Sequence, residues 1–265
     1  MQFTVLGKPD GSAIVMLPPM MCSGAMHLPV ARLLARNFRV VLPTYDGHCL
    51  DGSRYTSAPD QCAKICTYLD DQGIDDIALV QGSSMGAEIA LELLRERPQI
   101  RNAFFDGGPF FNFPGPIKRT FEKVFMSVVE KASSFPSDEK AIGGFAASEK
   151  IRSKIPSADE AADGVDMDEV TREFLADFVP IARSMDRQTV ENLAETCYSG
   201  TLPSFGENVQ RRMTFYYGKE TAALARGRVR SAYPHANYVQ GAMGHCAFEL
   251  THPQEYAMML VEACR

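Results

Sequence analysis

The amino-acid sequence predicts an α/β fold, with a mostly parallel central sheet, helices on both faces and an inserted helical segment. Through the first 110 residues, short apolar runs typical of buried strands alternate with segments that have helical periodicity. That alternation then stops, and it resumes only near residue 206. A chain of 265 residues is long enough for one such domain with an insertion.

The first part of the chain supplies most of the predicted strands. The run Ile77 to Val80 is short and continuously apolar, as expected of a strand that is buried on both faces. Strands are predicted at 3–6 and 13–17 around the Pro9-Asp10-Gly11 turn, and then at 38–43, 77–80 and 103–105. Helices are predicted between them at 29–36, 59–72 and 87–96, and Pro98 stops the last of these.

Residues 111–205 are predicted to form a helical cap, or lid, inserted into a core made of residues 1–110 and 206–265. Helices are expected at 117–131, 168–183 and 187–198, and a polar segment separates the first two. Asp186 is expected to cap the last of them. The core then resumes with strands at 213–217 and 237–239 and helices at 222–232 and 253–264.

Composition narrows the classes of function. The formal net charge of −6 argues against nucleic acid as a partner. No apolar stretch is long enough to cross a bilayer, and the first residues do not resemble a signal peptide. The seven cysteines are scattered, without zinc-ligand spacing, which indicates reduced thiols. We therefore expect a cytoplasmic protein that acts on a small molecule without a metal or cofactor; its oligomeric state stays open.

The most specific motif is Gly82-Ser83-Ser84-Met85-Gly86, which fits Gly-x-Ser-x-Gly with Ser84 at its centre. A predicted strand runs directly into it and a predicted helix leaves it, which is the context that a nucleophile elbow requires. The chain must turn so sharply there that small residues are needed on either side of the serine. The helix N-terminus also favours the negative charge that develops during acyl transfer. Ser84 is therefore the predicted nucleophile.

This elbow and the segment Gly241-Ala242-Met243-Gly244-His245 resemble the α/β-hydrolase superfamily, in its serine-hydrolase form with a helical cap. Family members have a loop ending in Gly-His, followed shortly by a proline that opens the last helix, as Pro253 does here. The resemblance implies that His245 is the general base, since an imidazole can take the serine proton and return it to the leaving group. Three of the other histidines are interpreted as surface or loop residues: His27, His235 and His252. The segment Tyr45-Asp46-Gly47-His48 resembles the family's Gly-His loop after an early strand, which shapes the floor of the site, and His48 is interpreted as structural.

The triad acid is ambiguous. The commonest family arrangement places it after the strand that ends at Tyr217, where the expected position holds Thr221 and Glu220 stands one residue earlier. A second family arrangement places it after the strand that follows the elbow helix, and Asp106 fits that position. We favour Asp106, with Glu220 as the alternative. Either choice keeps the order serine, acid, histidine.

The resemblance also implies an oxyanion hole built from two backbone amides. Met85, directly after the nucleophile, supplies one. The other comes from the loop after an early strand, where Pro18-Pro19 replaces the usual His-Gly; prolines have no N–H, so Met20 is the first available donor and Met21 the next. We expect the substrate pocket to be lined by Met21, Phe110 and Phe111.

These features predict a carboxylesterase-like serine hydrolase. Its substrate would be an ester, or less favourably a thioester or amide, of a small and partly apolar molecule. Two alternatives keep the same scaffold: a lyase or carbon–carbon hydrolase, and a protein that binds a small ligand without turning it over.

Overall fold

The computed structural model of this protein describes residues 1–149, 160–218, 223–241, 243–244 and 246–265. Within these ranges, seven strands form one sheet. Their bounds are β1 Gln2–Gly7, β2 Ala13–Leu17, β3 Arg39–Thr44, β4 Ile77–Ser83, β5 Asn102–Asp106, β6 Met213–Tyr217 and β7 Asn237–Gln240. The strands that were predicted from apolar runs are all present, with ends that differ by a few residues.

The strand order is β1-β3-β2-β4-β5-β6-β7. Every neighbouring pair is parallel except β1 and β3. The strands on either side of the predicted Pro9-Asp10-Gly11 turn do form, but they do not pair with each other, because β3 lies between them. The predicted mostly parallel sheet is thus confirmed, and β4, which leads into the elbow, lies at its centre.

Helices cover both faces of the sheet. On one face α1 (Leu28–Leu34) and the C-terminal helix α11 (Pro253–Ala263) contribute Val30, Leu34 and Leu260 to a core cluster that includes residues of β2 to β6. On the other face α2 (Ala58–Asp71) and α3 (Met85–Glu96) contribute Ile65, Ile89 and others to the larger core cluster. The helices of the core are α1 Leu28–Leu34, α2 Ala58–Asp71, α3 Met85–Glu96, α8 Glu207–Gln210, α9 Ala223–Ala232, α10 Ala247–Thr251 and α11 Pro253–Ala263.

Between residues 111 and 205, the described residues form helices that pack on one another. They are α4 Gly115–Ser133, α5 Asp138–Ala146, α6 Met167–Ser184 and α7 Arg187–Tyr198. Asp186 caps α7 as predicted, since its carboxylate accepts the Thr189 N–H at 2.8 Å. No helix in the described ranges is long and apolar enough to cross a membrane.

Helix α5 was not predicted, because the polar segment that contains it carries few apolar residues. Ser137 accepts the Lys140 N–H and so caps its N-terminus. Ala141 and Phe145, four residues apart, are its buried side chains. One capping hydroxyl and one apolar contact row are enough here, because the neighbouring helix α6 supplies the surface against which α5 packs.

Candidate active site

Ser84 stands at a sharp turn between β4 and α3. Its φ of 52° and ψ of −119° lie in a region that residues with a side chain rarely occupy, at a cost of about 1–3 kcal/mol. Two backbone hydrogen bonds hold the turn: the Ser84 N–H donates to the Asp106 carbonyl at 2.8 Å, and the Ala87 N–H donates to the Ser84 carbonyl at 2.9 Å. Across residues 77–91, all of which the structure describes, Ser84 alone is not buried.

The two glycines of the motif are required by close backbone approach. A Cβ at Gly82 would lie 2.3 Å from the Gly86 carbonyl oxygen. A Cβ at Gly86 would lie 2.2 Å from the Leu17 carbonyl oxygen. Both distances are well inside van der Waals contact, so α3 can approach β2 and β4 this closely only without side chains at these positions.

Ser84 opens into a cavity of about 750 Å³ between the core and the helices of residues 111–205. Among the described residues that line it, none is Asp, Glu, Lys, Arg or His. Its core side includes Pro19, Met20, Cys22, Met26, Ser84, Gly107, Gly108, Pro109, Cys246 and Ala247. Its helical side includes Phe111, Phe125, Val128, Phe145, Met167, Val170, Phe174, Leu175, Phe178, Cys197 and Tyr198.

Asp106 lies beside the elbow. It ends β5, pairs with Ser83 in the sheet register and is 1% exposed. Its carboxylate accepts a hydrogen bond from the Tyr256 hydroxyl at 3.0 Å. Burial raises the pKa of Asp106 to about 7, and the negative charge of Glu249 adds to the rise, whereas the Tyr256 bond and His27 oppose it.

A chain of buried polar groups continues from Asp106 behind the elbow. Gln81 donates to the Tyr256 hydroxyl at 3.0 Å and to the Ser83 hydroxyl at 2.7 Å. The Ser83 hydroxyl in turn donates to the Glu249 carboxylate at 3.4 Å. These residues come from β4, α10 and α11, so the chain ties the elbow to the segment that follows position 245.

His27 ends this chain, and its interpretation as a surface or loop residue is wrong. It is fully buried, and its Nδ1 lies 2.5 Å from the Glu249 carboxylate. Burial lowers the pKa of His27, but the adjacent Glu249 outweighs that effect, so the pKa is raised. The charged partner offsets the cost of burying an imidazole, and sequence periodicity does not reveal such a partner 222 residues away.

The loop after β2 carries Met20, the predicted oxyanion donor. Pro19, Met20, Met21 and Cys22 form a β-turn, closed by the Cys22 N–H donating to the Pro19 carbonyl at 3.3 Å. The backbone N–H of Met21 donates to Nε2 of His48 at 3.1 Å. Met20 lines the Ser84 cavity.

Two residues that were expected to line the pocket do not line it. Met21 is buried in the core and its side chain is 2% exposed. Phe110 is fully buried, with ring contacts to Phe105 and Phe215 at centroid distances of 6.0 and 5.7 Å. Phe111 lines the Ser84 cavity. An apolar residue near the site can point either into the core or into the cavity. The direction of each side chain decides between them, and the residue type alone does not indicate that direction.

The predicted base and the alternative acid, His245 and Glu220, lie outside the described residues. Near them the structure describes Cys246, which lines the Ser84 cavity, and Tyr217, which ends β6. The choice between Asp106 and Glu220 therefore stays a prediction.

The comparisons with known proteins identify the fold. The sequence matches no family profile, and no curated protein matches it. Among solved structures, an esterase from Thermogutta terrifontis has a TM-score of 0.70 and 14% identity, over 98% of this chain and 91% of that one. A protein from Desulfitobacterium hafniense assigned to the alpha/beta hydrolase family has a TM-score of 0.69 and 15% identity over the whole of both chains. An enol-lactonase from Burkholderia xenovorans has a TM-score of 0.68 and 16% identity, over 99% and 95% of the two chains.

The chain has the α/β-hydrolase fold, as its sequence resemblance implied. The elbow serine lies at the C-terminal edge of the parallel strands, where ligand sites of open α/β sheets are found.

Proposed function

We propose that this protein is a serine hydrolase that cleaves an ester, or less favourably a thioester or amide, through an acyl-enzyme on Ser84. One observation carries the proposal. Ser84 is held in a strained elbow, it is the one residue of positions 77–91 that is not buried, and it faces a large apolar cavity. The structural neighbours that are esterases, and one that is an enol-lactonase, support the same class of reaction.

In the proposed mechanism His245 takes the proton from the Ser84 hydroxyl as the oxygen attacks the substrate carbonyl. The backbone amides of Met20 and Met85 stabilise the oxyanion of the tetrahedral intermediate. His245 then protonates the leaving alcohol, which departs. Water, deprotonated by His245, attacks the acyl-enzyme, and collapse of the second intermediate releases the acid and restores the serine.

The cavity favours a substrate with a neutral, largely apolar acyl or alcohol portion. Its volume of about 750 Å³ falls within the usual range of small-molecule sites. Burying a charged group among these apolar side chains would carry a large desolvation cost, since the described lining offers no ion-pair partner. We therefore expect uncharged esters to be cleaved in preference to esters that carry a carboxylate.

The first test is covalent labelling with a fluorophosphonate, followed by intact mass measurement and peptide mapping. We expect one adduct, on Ser84, which is lost in Ser84→Ala and in His245→Ala. Ser127, an exposed serine of α4, gives the matched control, because Ser127→Ala should label like the wild type. A folded wild-type protein that forms no adduct would refute the acyl-enzyme proposal and favour a binding protein.

The second test separates the two candidate acids. Asp106 is proposed as the acid that orients His245, because it is buried beside the elbow. Asp106→Asn should then lower kcat by roughly 10⁴-fold, whereas Glu220→Gln should leave it within about threefold. The opposite result would assign the acid to Glu220.

The inserted helices are proposed to form a lid that determines selectivity. Phe111 and Tyr198 bring aromatic rings to the cavity from this part of the chain. Replacing the segment by a short linker should change the relative rates on esters of different acyl length. Unchanged relative rates would contradict the lid role.

A further inference from the structure

The loop that carries Met20 is held from one side by the end of β3 and the segment that follows it. The Tyr45 hydroxyl donates to the Pro18 carbonyl at 3.1 Å, and the Gly24 N–H donates to the Thr44 hydroxyl at 3.0 Å. The third bond, from the Met21 N–H to Nε2 of His48, is the one of these three that attaches to a residue of the β-turn. All three donors or acceptors on the β3 side are side chains, so the loop depends on residue identity there.

The hydrogen bonds of His48 define its tautomer. Its Nδ1 lies 3.1 Å from the Asp46 carbonyl oxygen, which can only accept, so Nδ1 carries the proton. Nε2 is then an acceptor, as the bond from Met21 requires. His48 is 1% exposed, and its burial lowers the pKa to about 4, which keeps the imidazole neutral near neutral pH.

The turn leaves two amides without a partner inside it. In a β-turn closed by the fourth residue, the N–H groups of the second and third residues take no part in the closing bond. Here these are Met20 and Met21, and the Met21 N–H is bonded to His48. Within the described residues, no acceptor is bonded to the Met20 N–H. Pro18 and Pro19 have no N–H, so Met20 carries the one amide of positions 18–21 that is available to a substrate.

Met21 also has an unfavourable backbone conformation. Its φ of 61° is left-handed, which costs a residue with a side chain roughly 1–2 kcal/mol. A buried hydrogen bond contributes about 1 kcal/mol, and leaving the amide buried and unpaired would cost more. The bond to His48 therefore offsets the strain and favours this turn over alternatives in which Met20 would be displaced.

We propose that His48 is a positioning residue for the oxyanion hole: by accepting the Met21 N–H, it holds the turn that presents the Met20 amide to the substrate. This inference rests on the proposed function, because it assigns Met20 to an oxyanion that forms at Ser84. His48 does not contact the reacting atoms in this role.

Two amide substitutions test the proposal with matched chemistry. In His48→Gln the amide oxygen reaches the position of Nε2 and can accept the Met21 N–H; in His48→Asn it is one methylene too short. We expect kcat of the asparagine variant to fall by about 10- to 100-fold, with KM changed less than about threefold. Complete loss of an oxyanion donor lowers kcat by about 100- to 1,000-fold, and here the donor is displaced but still present. The glutamine variant should recover most of the loss.

The relative affinities for two inhibitors provide a second measurement, which a loss of folding stability alone would not change. A trifluoromethyl ketone, which forms a tetrahedral oxyanion on the serine, should bind the asparagine variant more weakly by the factor lost in kcat/KM. The corresponding secondary alcohol, which forms none, should bind both proteins alike. Tyr55→Phe is the control, because Tyr55 packs against His48 at a centroid distance of 6.2 Å but its hydroxyl contacts Thr196.

The outcomes separate this proposal from the proposed function. If wild-type Ser84 is labelled by a fluorophosphonate and the glutamine and asparagine variants have equal kcat, the role of His48 is refuted and the hydrolase stands. Equal losses in Tyr55→Phe and the asparagine variant would refute it as well. If wild-type protein is not labelled, both proposals fail. Should the asparagine variant not fold, His48→Leu, which lacks an acceptor, replaces it in the same comparison.

Discussion

Glu88 links the elbow helix to Phe110, the residue directly before the inserted segment, and its substitution by glutamine gives a quantitative prediction. Its side chain is buried in α3, and its carboxyl accepts the Phe110 N–H at 2.8 Å. Arg228 donates to the Phe110 carbonyl at 2.6 Å and to the Gly200 carbonyl at 2.8 Å. Burial raises the pKa of Glu88 from 4.5 to about 8, although the Phe110 bond and the charge of Arg228 oppose the rise.

The sign of the effect follows from proton linkage. Between pH 4.5 and about 8 the folded protein keeps the Glu88 proton, whereas the unfolded chain releases it. Folding is therefore disfavoured progressively as the pH rises through this window, by about 1.4 kcal/mol per pH unit. Between pH 5 and pH 8 this one group lowers the free energy of unfolding by about 4 kcal/mol. Below the unfolded pKa the effect disappears, because both states are protonated.

Glu88→Gln keeps an acceptor for the Phe110 N–H and removes the titration. We expect the stability of this variant, relative to wild type, to increase by about 4 kcal/mol from pH 5 to pH 8. Urea unfolding followed by circular dichroism at intervals across that range measures the difference. Glu96→Gln, an exposed position at the end of the same helix, is the control and should run parallel to wild type. Parallel curves for Glu88→Gln and wild type would refute the burial-driven pKa.

Three further variants test other contacts. Gly86→Ala places a Cβ 2.2 Å from a β2 carbonyl oxygen, so we expect a loss of about 3 kcal/mol in urea unfolding; an unchanged midpoint would contradict the close approach. Asp177→Ala removes bonds of 2.8 and 2.6 Å to the amide and hydroxyl of Ser23. The inserted helices should then be cut faster in limited proteolysis. An unchanged rate would show that the contact between Asp177 and Ser23 does not hold these helices against the core. Tyr256→Phe removes the hydrogen-bond donor that favours ionised Asp106. The apparent pKa of the acidic limb in the pH dependence of kcat should therefore increase by about one unit. An unchanged pKa would show that this limb does not report Asp106.

Local patterns predicted the framework well, because the forces that form it are local. Continuous apolar runs became buried strands, and the glycines around Ser84 marked a turn that no other residue type fits. Asp186 was predicted as a cap from its position alone and does cap its helix. The antiparallel pairing of β1 with β3 was not predicted, since pairing across the sheet depends on contacts that are distant in sequence.

The chemical setting of the site was decided by the tertiary structure. The sequence showed a serine elbow, an acid after a buried strand and a proline-rich loop. It did not show that His27 is buried against Glu249, that Phe110 packs into the core or that His48 bonds the Met21 amide. Hydrogen bonds between buried groups depend on which chain segments the sheet order brings together, and no periodicity records them. The sequence by itself therefore determined where the elbow serine stands, and the packed fold determined which polar groups surround the elbow.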